Sequence, residues 1–332
     1  AWAEYRSTAT RELRVVILEP AALYALLRVM RLGRRDVLWL VDAVLVTGGA
    51  IAVVGLALFV TGESVVEAEE GARRLISVYG SPNGVGLYLG RCLPFAFAFT
   101  VLPVGSWRRA LAAGSGVVML LAVLLSQSRG AILLGLPAAL VVMILLWQGR
   151  RSLVPVGLTV LGIIVALIPL SVVLPRLPDI FGDTAFFRES LWYSSVQLIR
   201  ERPLTGVGLD QFLYWYRSRY LLPEAWAEPN LSIPHNILLN HWVSLGIPGM
   251  LAAAALQGFF WRRAWRTYRR AYHADRMALA LVIALAGSMA DFLAHGLVDV
   301  AYFSINLAFF FFLSLALAHR ADVGFADHRG GV

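Results

Sequence analysis

The chain contains no lysine, a single cysteine and very little charge: all 29 basic residues are arginine, and charged residues make up only 15% of its 332 positions. One cysteine, Cys92, excludes an internal disulfide, and its place in an apolar run argues against a thiolate metal site. The sequence also lacks an Asp-x-Asp pair, a His-x-x-x-His pair and a glycine loop able to cradle phosphates. Neither a catalytic metal nor a nucleotide substrate is therefore expected, and no cofactor is implied. The net charge of +8 is not a nucleic-acid signature here, because the arginines cluster in short connections between apolar runs.

Hydrophobic residues fill 59% of the chain, too many for a water-soluble core and surface. A helix needs about 20 apolar residues to cross the hydrocarbon core, and runs of that kind occur near 15–30, 37–60, 83–103, 109–126, 131–148, 153–174, 237–260, 277–298 and 303–319. The expected fold is an all-α polytopic bundle of about nine spans forming a single membrane domain over 1–332. The first span is interrupted by Glu19, Pro20 and Arg28 and could instead lie in the interface.

Connections carrying Arg31, Arg34 and Arg35, then Arg108 and Arg109, then Arg150 and Arg151, then Arg262 to Arg276 alternate in register with the spans. Positive connections face the cytoplasm. That reading assigns most of these arginines to topology and headgroup contact. It puts the Glu63 to Glu70 connection, the Ser126 to Arg129 turn, a long segment over 175–236 and the turn at Asp299 on the opposite, non-cytoplasmic side. The acidic connection reads as a solvated loop, and Arg73, Arg74, Arg200, Arg202, Arg217 and Arg219 read as solvated cations. The chain opens on Ala1 and enters membrane sequence almost at once, so N-terminal helices are expected to be missing.

The 175–236 segment is where chemistry is expected. Asp183 and Thr184 can cap a helix ending before Pro203, and Asp210 can cap another through Arg219. Phe187, Leu191, Leu198 and Ile199 recur at helical spacing and give the first helix an apolar face. Arg91, two turns inside the span that begins at Ser81-Pro82-Asn83, Arg129 in Ser128-Arg129-Gly130 and Arg188 in the long segment fall at one membrane surface. Guanidinium forks match phosphate oxygens and keep their charge, so a lipid-linked phosphate or diphosphate suits them. Pro234 fits the first position of a helix, which puts His235 in the first turn of the next span as a candidate general base. Asn236, Asn240 and Ser244 follow at four-residue intervals, and Gly246, Pro248 and Gly249 then break or bend the helix. A second polar stripe, Ser288, Asp291, His295, Asp299 and Tyr302, runs along the following span. In it Asp291 and His295 read as a structural pair or a proton path.

Ser128-Arg129-Gly130-Ala131, Arg188 with Trp192, Pro203-Leu204-Thr205-Gly206-Val207-Gly208, Pro234-His235-Asn236 and Gly246-Ile247-Pro248-Gly249 resemble, in order and spacing, the O-antigen ligase and O-antigen polymerase family of bacterial inner-membrane glycosyltransferases. The resemblance extends from about Ile17 to Ala318. It implies transfer of a glycan from undecaprenyl diphosphate to an acceptor hydroxyl on a glycan or lipid at the periplasmic face, with Arg129 and Arg188 holding the diphosphate and His235 activating the acceptor. Asn83, Arg91, Asn236, His295 and Asp299 are carried over as substrate-binding candidates. Members with twelve spans have the long loop near the ninth and tenth, so six spans before it here imply about three absent helices. A proton-coupled transporter of a small anion is the competing class, but such proteins usually show paired inverted halves and a midplane site, whereas the polar residues here gather toward one surface.

Overall fold

The computed structural model describes residues 3–63, 65–67, 73–102, 105–149, 154–158, 161–162, 183–226 and 229–324. The helices are α1 (Arg6–Leu13), α2 (Glu19–Val29), α3 (Arg34–Thr61), α4 (Pro82–Val101), α5 (Ser106–Ser126), α6 (Leu136–Gln148), α7 (Asp183–Glu201), α8 (Phe212–Trp215), α9 (Ile237–Ala271), α10 (Arg276–Gly296) and α11 (Ile305–Val323). Short π-helical turns lead from α1 into α2, enter α6 over Gly130–Gly135 and extend α8 over Tyr216–Tyr220. The protein is an all-α, multi-pass membrane bundle.

Among the described residues seven helices are long and apolar enough to cross a bilayer. They match seven of the nine predicted spans. The run at 15–30 forms the π turn and α2, whose eleven residues begin on Glu19-Pro20 and end beside Arg28, and it is not among the seven. The span predicted at 153–174 lies largely outside the described residues, as do Arg150, Arg151, Glu69, Glu70 and the start of the 175–236 segment.

Contacts divide the chain into two compact units. One comprises Leu27–Asp179, Trp261–His295 and Ser314–Val332. Within it α3, α4 and α5 pack through small residues, since helices in lipid gain most from close van der Waals approach. A methyl group on Gly48 would meet the Met119 sulfur, and one on Gly49 would stand 3.0 Å from Ser115 Oγ. A two-stranded hairpin, β1 (Val65–Glu67) and β2 (Arg73–Leu75), follows α3 and pairs Val65 with Leu75. Several arginines expected at headgroups are instead ion-paired. Arg108 lies 3.0 Å from Asp42, Arg34 pairs with Asp275, and Arg263, Arg266 and Arg270 converge on Asp322 at 2.6, 3.8 and 3.3 Å. Buried carboxylates such as Asp42 and Asp322 need a counter-charge, and arginine is the only long cation this sequence offers.

The other unit comprises Ala1–Leu26, Ile180–Phe260 and Gly296–Leu313. The apolar face of α7 packs within it: Leu191, Leu198 and Ile199 form a core with Val207, Phe212, Trp215, Tyr216 and Val243. Asp210 does not cap α8. It sits in the left-handed region at φ 54°, and Gln211 takes the N-cap position with no side-chain capping bond. The Gln211 amide instead holds the chain's beginning, accepting from the Tyr5 N–H at 2.8 Å and donating to the Tyr5 carbonyl at 3.3 Å.

Two glycine motifs far apart in sequence form one device in this unit. Gly246 has φ 65° and interrupts α9, freeing backbone groups that a continuous helix would pair. The Pro203–Gly208 loop supplies the partners. Val207 N–H donates to the Val243 carbonyl at 2.7 Å, Gly208 N–H to Ser244 at 3.1 Å, and Ile247 N–H donates to Pro203 at 3.0 Å. A break in an apolar helix is tolerated where neighbouring backbone satisfies it. Neither Gly206 nor Gly246 admits a Cβ, because a methyl on the first would overlap the Val243 carbonyl and one on the second the Leu204 carbonyl.

Candidate functional site

His235, Asp299 and Arg188 come together within one unit. His235 Nδ1 lies 2.9 Å from Asp299 Oδ1, and an Arg188 guanidinium nitrogen lies 3.9 Å from Asp299 Oδ2. The Asp299 carboxylate is nearly covered, with 5% of its side chain exposed, whereas Arg188 keeps 18% and His235 23%. The buried acid can thus steer two groups that still reach solvent. Burial pulls the Arg188 guanidinium below its ordinary value and the neighbouring Asp299 pushes it back up, so the ion pair offsets the cost of desolvation.

Local structure explains how His235 is presented. The helix begins at Ile237, three residues later than the Pro234 signal predicts, and Asn236 caps it: its Oδ1 accepts from Leu238 N–H at 3.0 Å and Leu239 N–H at 3.1 Å. His235 therefore lies before the helix, at φ 48°. A non-glycine residue in that region carries strain and needs surrounding structure to hold it. The holders are visible: Trp192 on α7 donates its indole N–H to the Pro234 carbonyl at 3.0 Å, and Asn236 Nδ2 donates to the Leu297 carbonyl at 2.9 Å. That last bond ties the His235 turn to the loop bearing Asp299, whose Oδ1 also accepts the Val300 N–H at 2.8 Å. The Asn236 amide is thus engaged at both ends within the fold.

The predicted stripe from Ser288 to Tyr302 does not stay on one helix. Helix α10 ends at Gly296, so Asp299 and Tyr302 belong to the following loop, and Tyr302 donates its hydroxyl to the Val16 carbonyl at 2.8 Å.

Arg91, Arg129, Asn83 and His295 belong to the other unit. Arg91 is 1% exposed, its guanidinium carbon lies 4.7 Å from the Phe292 ring centroid, and Asp291 is its electrostatic partner. Asp291 and His295 are wholly buried. Gly90 on α4 and Gly135 before α6 make room for the Asp291 carboxylate, since a methyl on Gly90 would stand 2.8 Å from its Oδ1 and one on Gly135 would overlap it. Arg129 is half-buried and stands directly before the π turn that opens the α6 span. The turn ahead of it is pinned by a residue the sequence reading left to solvent: Arg74 donates to the Ser126 carbonyl at 3.0 Å, the Gln127 carbonyl at 3.4 Å and Asn83 Oδ1 at 3.5 Å. Gln127, at φ 49°, donates back to the Arg73 carbonyl at 3.2 Å. No spacing rule connects a hairpin arginine to a turn fifty residues on, so neither this contact nor the pairing of the two glycine motifs was readable beforehand.

Chemically, this trio offers an imidazole oriented by a carboxylate beside a fixed guanidinium. When Asp299 accepts the Nδ1 proton, Nε2 is left with a lone pair, which is the arrangement a general base requires. No curated protein matches the chain. Residues 114–254 match the family model described as O-antigen ligase, and that segment holds Arg129, Arg188, both glycine motifs and the Pro234-His235-Asn236 turn.

Proposed function

We propose that this protein transfers a glycan from undecaprenyl diphosphate to an acceptor hydroxyl at the periplasmic face, with inversion at the anomeric carbon and without a metal. The observation that carries the reading is the 2.9 Å contact between His235 Nδ1 and Asp299 Oδ1 with Arg188 alongside. In the proposed step the acceptor oxygen bonds to the anomeric carbon while the bond from that carbon to the diphosphate oxygen breaks. The hydroxyl proton passes to His235 Nε2, and the bonding pair leaves with the diphosphate. Asp299 holds the ring in the productive tautomer and stabilises the imidazolium that forms. Arg188 offers fixed positive charge to the departing oxygens, where it is worth most as charge develops. Arg129 enters by motif, as a second cation for the diphosphate.

Attack opposite the leaving diphosphate inverts the anomeric centre. The test supplies full-length purified protein with undecaprenyl-diphosphate oligosaccharide, a chelator and candidate acceptors in turn, and determines the product's anomeric configuration. Transfer with inversion, lost in Arg188→Ala and Arg129→Ala protein that still inserts, is the expected result. Retained configuration, dependence on added metal, or undiminished turnover in both variants would overturn it.

A further inference from the structure

The long extramembrane segment holds a pair of cations that the transfer step does not use. Arg202 and Arg219 both lie over the Trp215 indole, with guanidinium carbons 4.5 and 4.6 Å from the ring centroid. Trp215 is 8% exposed and belongs to the core beneath α7, so the ring is a fixed platform. Neither arginine has an ion-pair partner among the described residues. The neighbouring acid, Glu201, is hydrogen-bonded to Tyr220, whose phenol is pushed up to about 12 by burial first and then by that glutamate. Exposed Arg200 and Arg217 add to the positive charge, Arg217 donating to Asn230 Oδ1 at 3.3 Å.

Two like charges drawn to one ring repel, and each cation–π contact returns only about 0.5–2 kcal/mol. The arrangement has, among the described residues, no anion ion-paired to its two guanidiniums to complete it. It is also preorganised. Arg202 N–H donates to the Leu198 carbonyl at 3.1 Å, and the adjoining Pro203 carbonyl is held by Ile247 N–H and the Trp242 indole N–H, both at 3.0 Å. Stacked guanidiniums keep their edge N–H groups free to grip a planar carboxylate or a phosphate. Arg202, directly after the end of α7, stands fourteen residues from Arg188, a rise of ~21 Å, so the pair lies away from the phosphates assigned to Arg188.

We propose that Arg202 and Arg219 on Trp215 form a binding site for an anionic sugar of the acceptor glycan, phosphorylated or uronic, several residues from the reacting hydroxyl. That the sugar belongs to an acceptor rests on the transferase reading above; that the site binds anionic sugar does not. Full-length protein in phosphatidylcholine nanodiscs is titrated with glucose 6-phosphate, glucuronate and glucose and followed by saturation-transfer NMR. At least one anionic sugar is expected to bind and glucose is not. Arg202→Gln with Arg219→Gln should weaken binding at least tenfold, Arg202→Lys with Arg219→Lys by less, and His235→Ala not at all. Equal binding of glucose, unchanged affinity in the double Gln variant, or complete displacement on moving to phosphatidylglycerol nanodiscs would overturn the site, the last assigning it to lipid headgroups. In a transfer assay the same double variant should raise KM for an anionic acceptor, leave kcat unchanged and spare a neutral acceptor. Absence of all transfer would sink the transferase reading while leaving the NMR result standing.

Discussion

Two clusters of the same residue types, an arginine, an aspartate and a histidine, occur in this protein in opposite settings. Arg188 on α7, His235 in the turn before α9 and Asp299 in the loop after α10 form one cluster, with the arginine and histidine partly exposed. Arg91, Asp291 and His295 are sealed among α4 and α10 and the glycines that accommodate them. A charge that reaches solvent can meet a substrate, while one that is fully buried must be balanced within the fold. Composition alone does not separate the two roles. What separates them is the end of α10 at Gly296, which leaves His295 inside a helix and releases Asp299 into a loop.

The comparison breaks if the two clusters respond alike to mutation. His235→Ala should lower transfer by about 10²–10⁴-fold with an unchanged melting temperature, measured by product formation and thermal unfolding on one preparation. Asp291→Ala should do the reverse, because it strands the Arg91 charge in the interior at about 3–5 kcal/mol. It should appear as reduced folded yield in detergent, with Arg91→Met added to Asp291→Leu recovering most of the loss. A folded, inactive Asp291→Ala protein would move that cluster into the chemistry.

Smaller perturbations sharpen the contrast. Gly135→Ala forces a methyl against the Asp291 carboxylate and should cost about 1–3 kcal/mol, read as a lower unfolding temperature; a neutral result would show that α6 can shift away.

The mildest effect belongs to Asp210 in the unit that holds His235. Burial first holds its carboxyl above the ordinary value, Arg11 opposing, and Glu12 is raised likewise by burial and by Asp210. A carboxyl whose folded value exceeds its unfolded value favours folding when protonated, so this contribution is lost as pH rises from about 4 through the folded value. Asp210→Asn, which also tolerates the left-handed backbone at this position, should raise the melting temperature at neutral pH by ~2 °C and flatten its dependence in that window. An unchanged pH profile would remove Asp210 as a source of that dependence.

Much of the helix framework was legible before any coordinates. Seven runs of apolar residues became helices of spanning length because the only way to satisfy backbone polar groups in hydrocarbon is within the segment itself. The first predicted span shows the limit of that reasoning, since α2 is helical yet too short and too charged to belong with them. At the site, His235, Arg188 and Asp299 were each named from sequence, Asp299 as a weaker candidate on a stripe that the fold then splits. The helix start was misplaced by three residues because Asn236 outcompetes Pro234 as the signal: a side chain that accepts two backbone N–H groups defines the cap.

By itself, the order of residues determined that this chain is a multi-pass helical membrane protein with a long polar segment between its apolar runs, because hydrophobic length and helix periodicity are local properties. Only the tertiary structure decided which charges face water and which are sealed. It also decided that Pro203–Gly208 mends the break at Gly246 and that Asp299 meets His235 across 64 positions of sequence. Those outcomes depend on which elements pack together, and no local pattern encodes that.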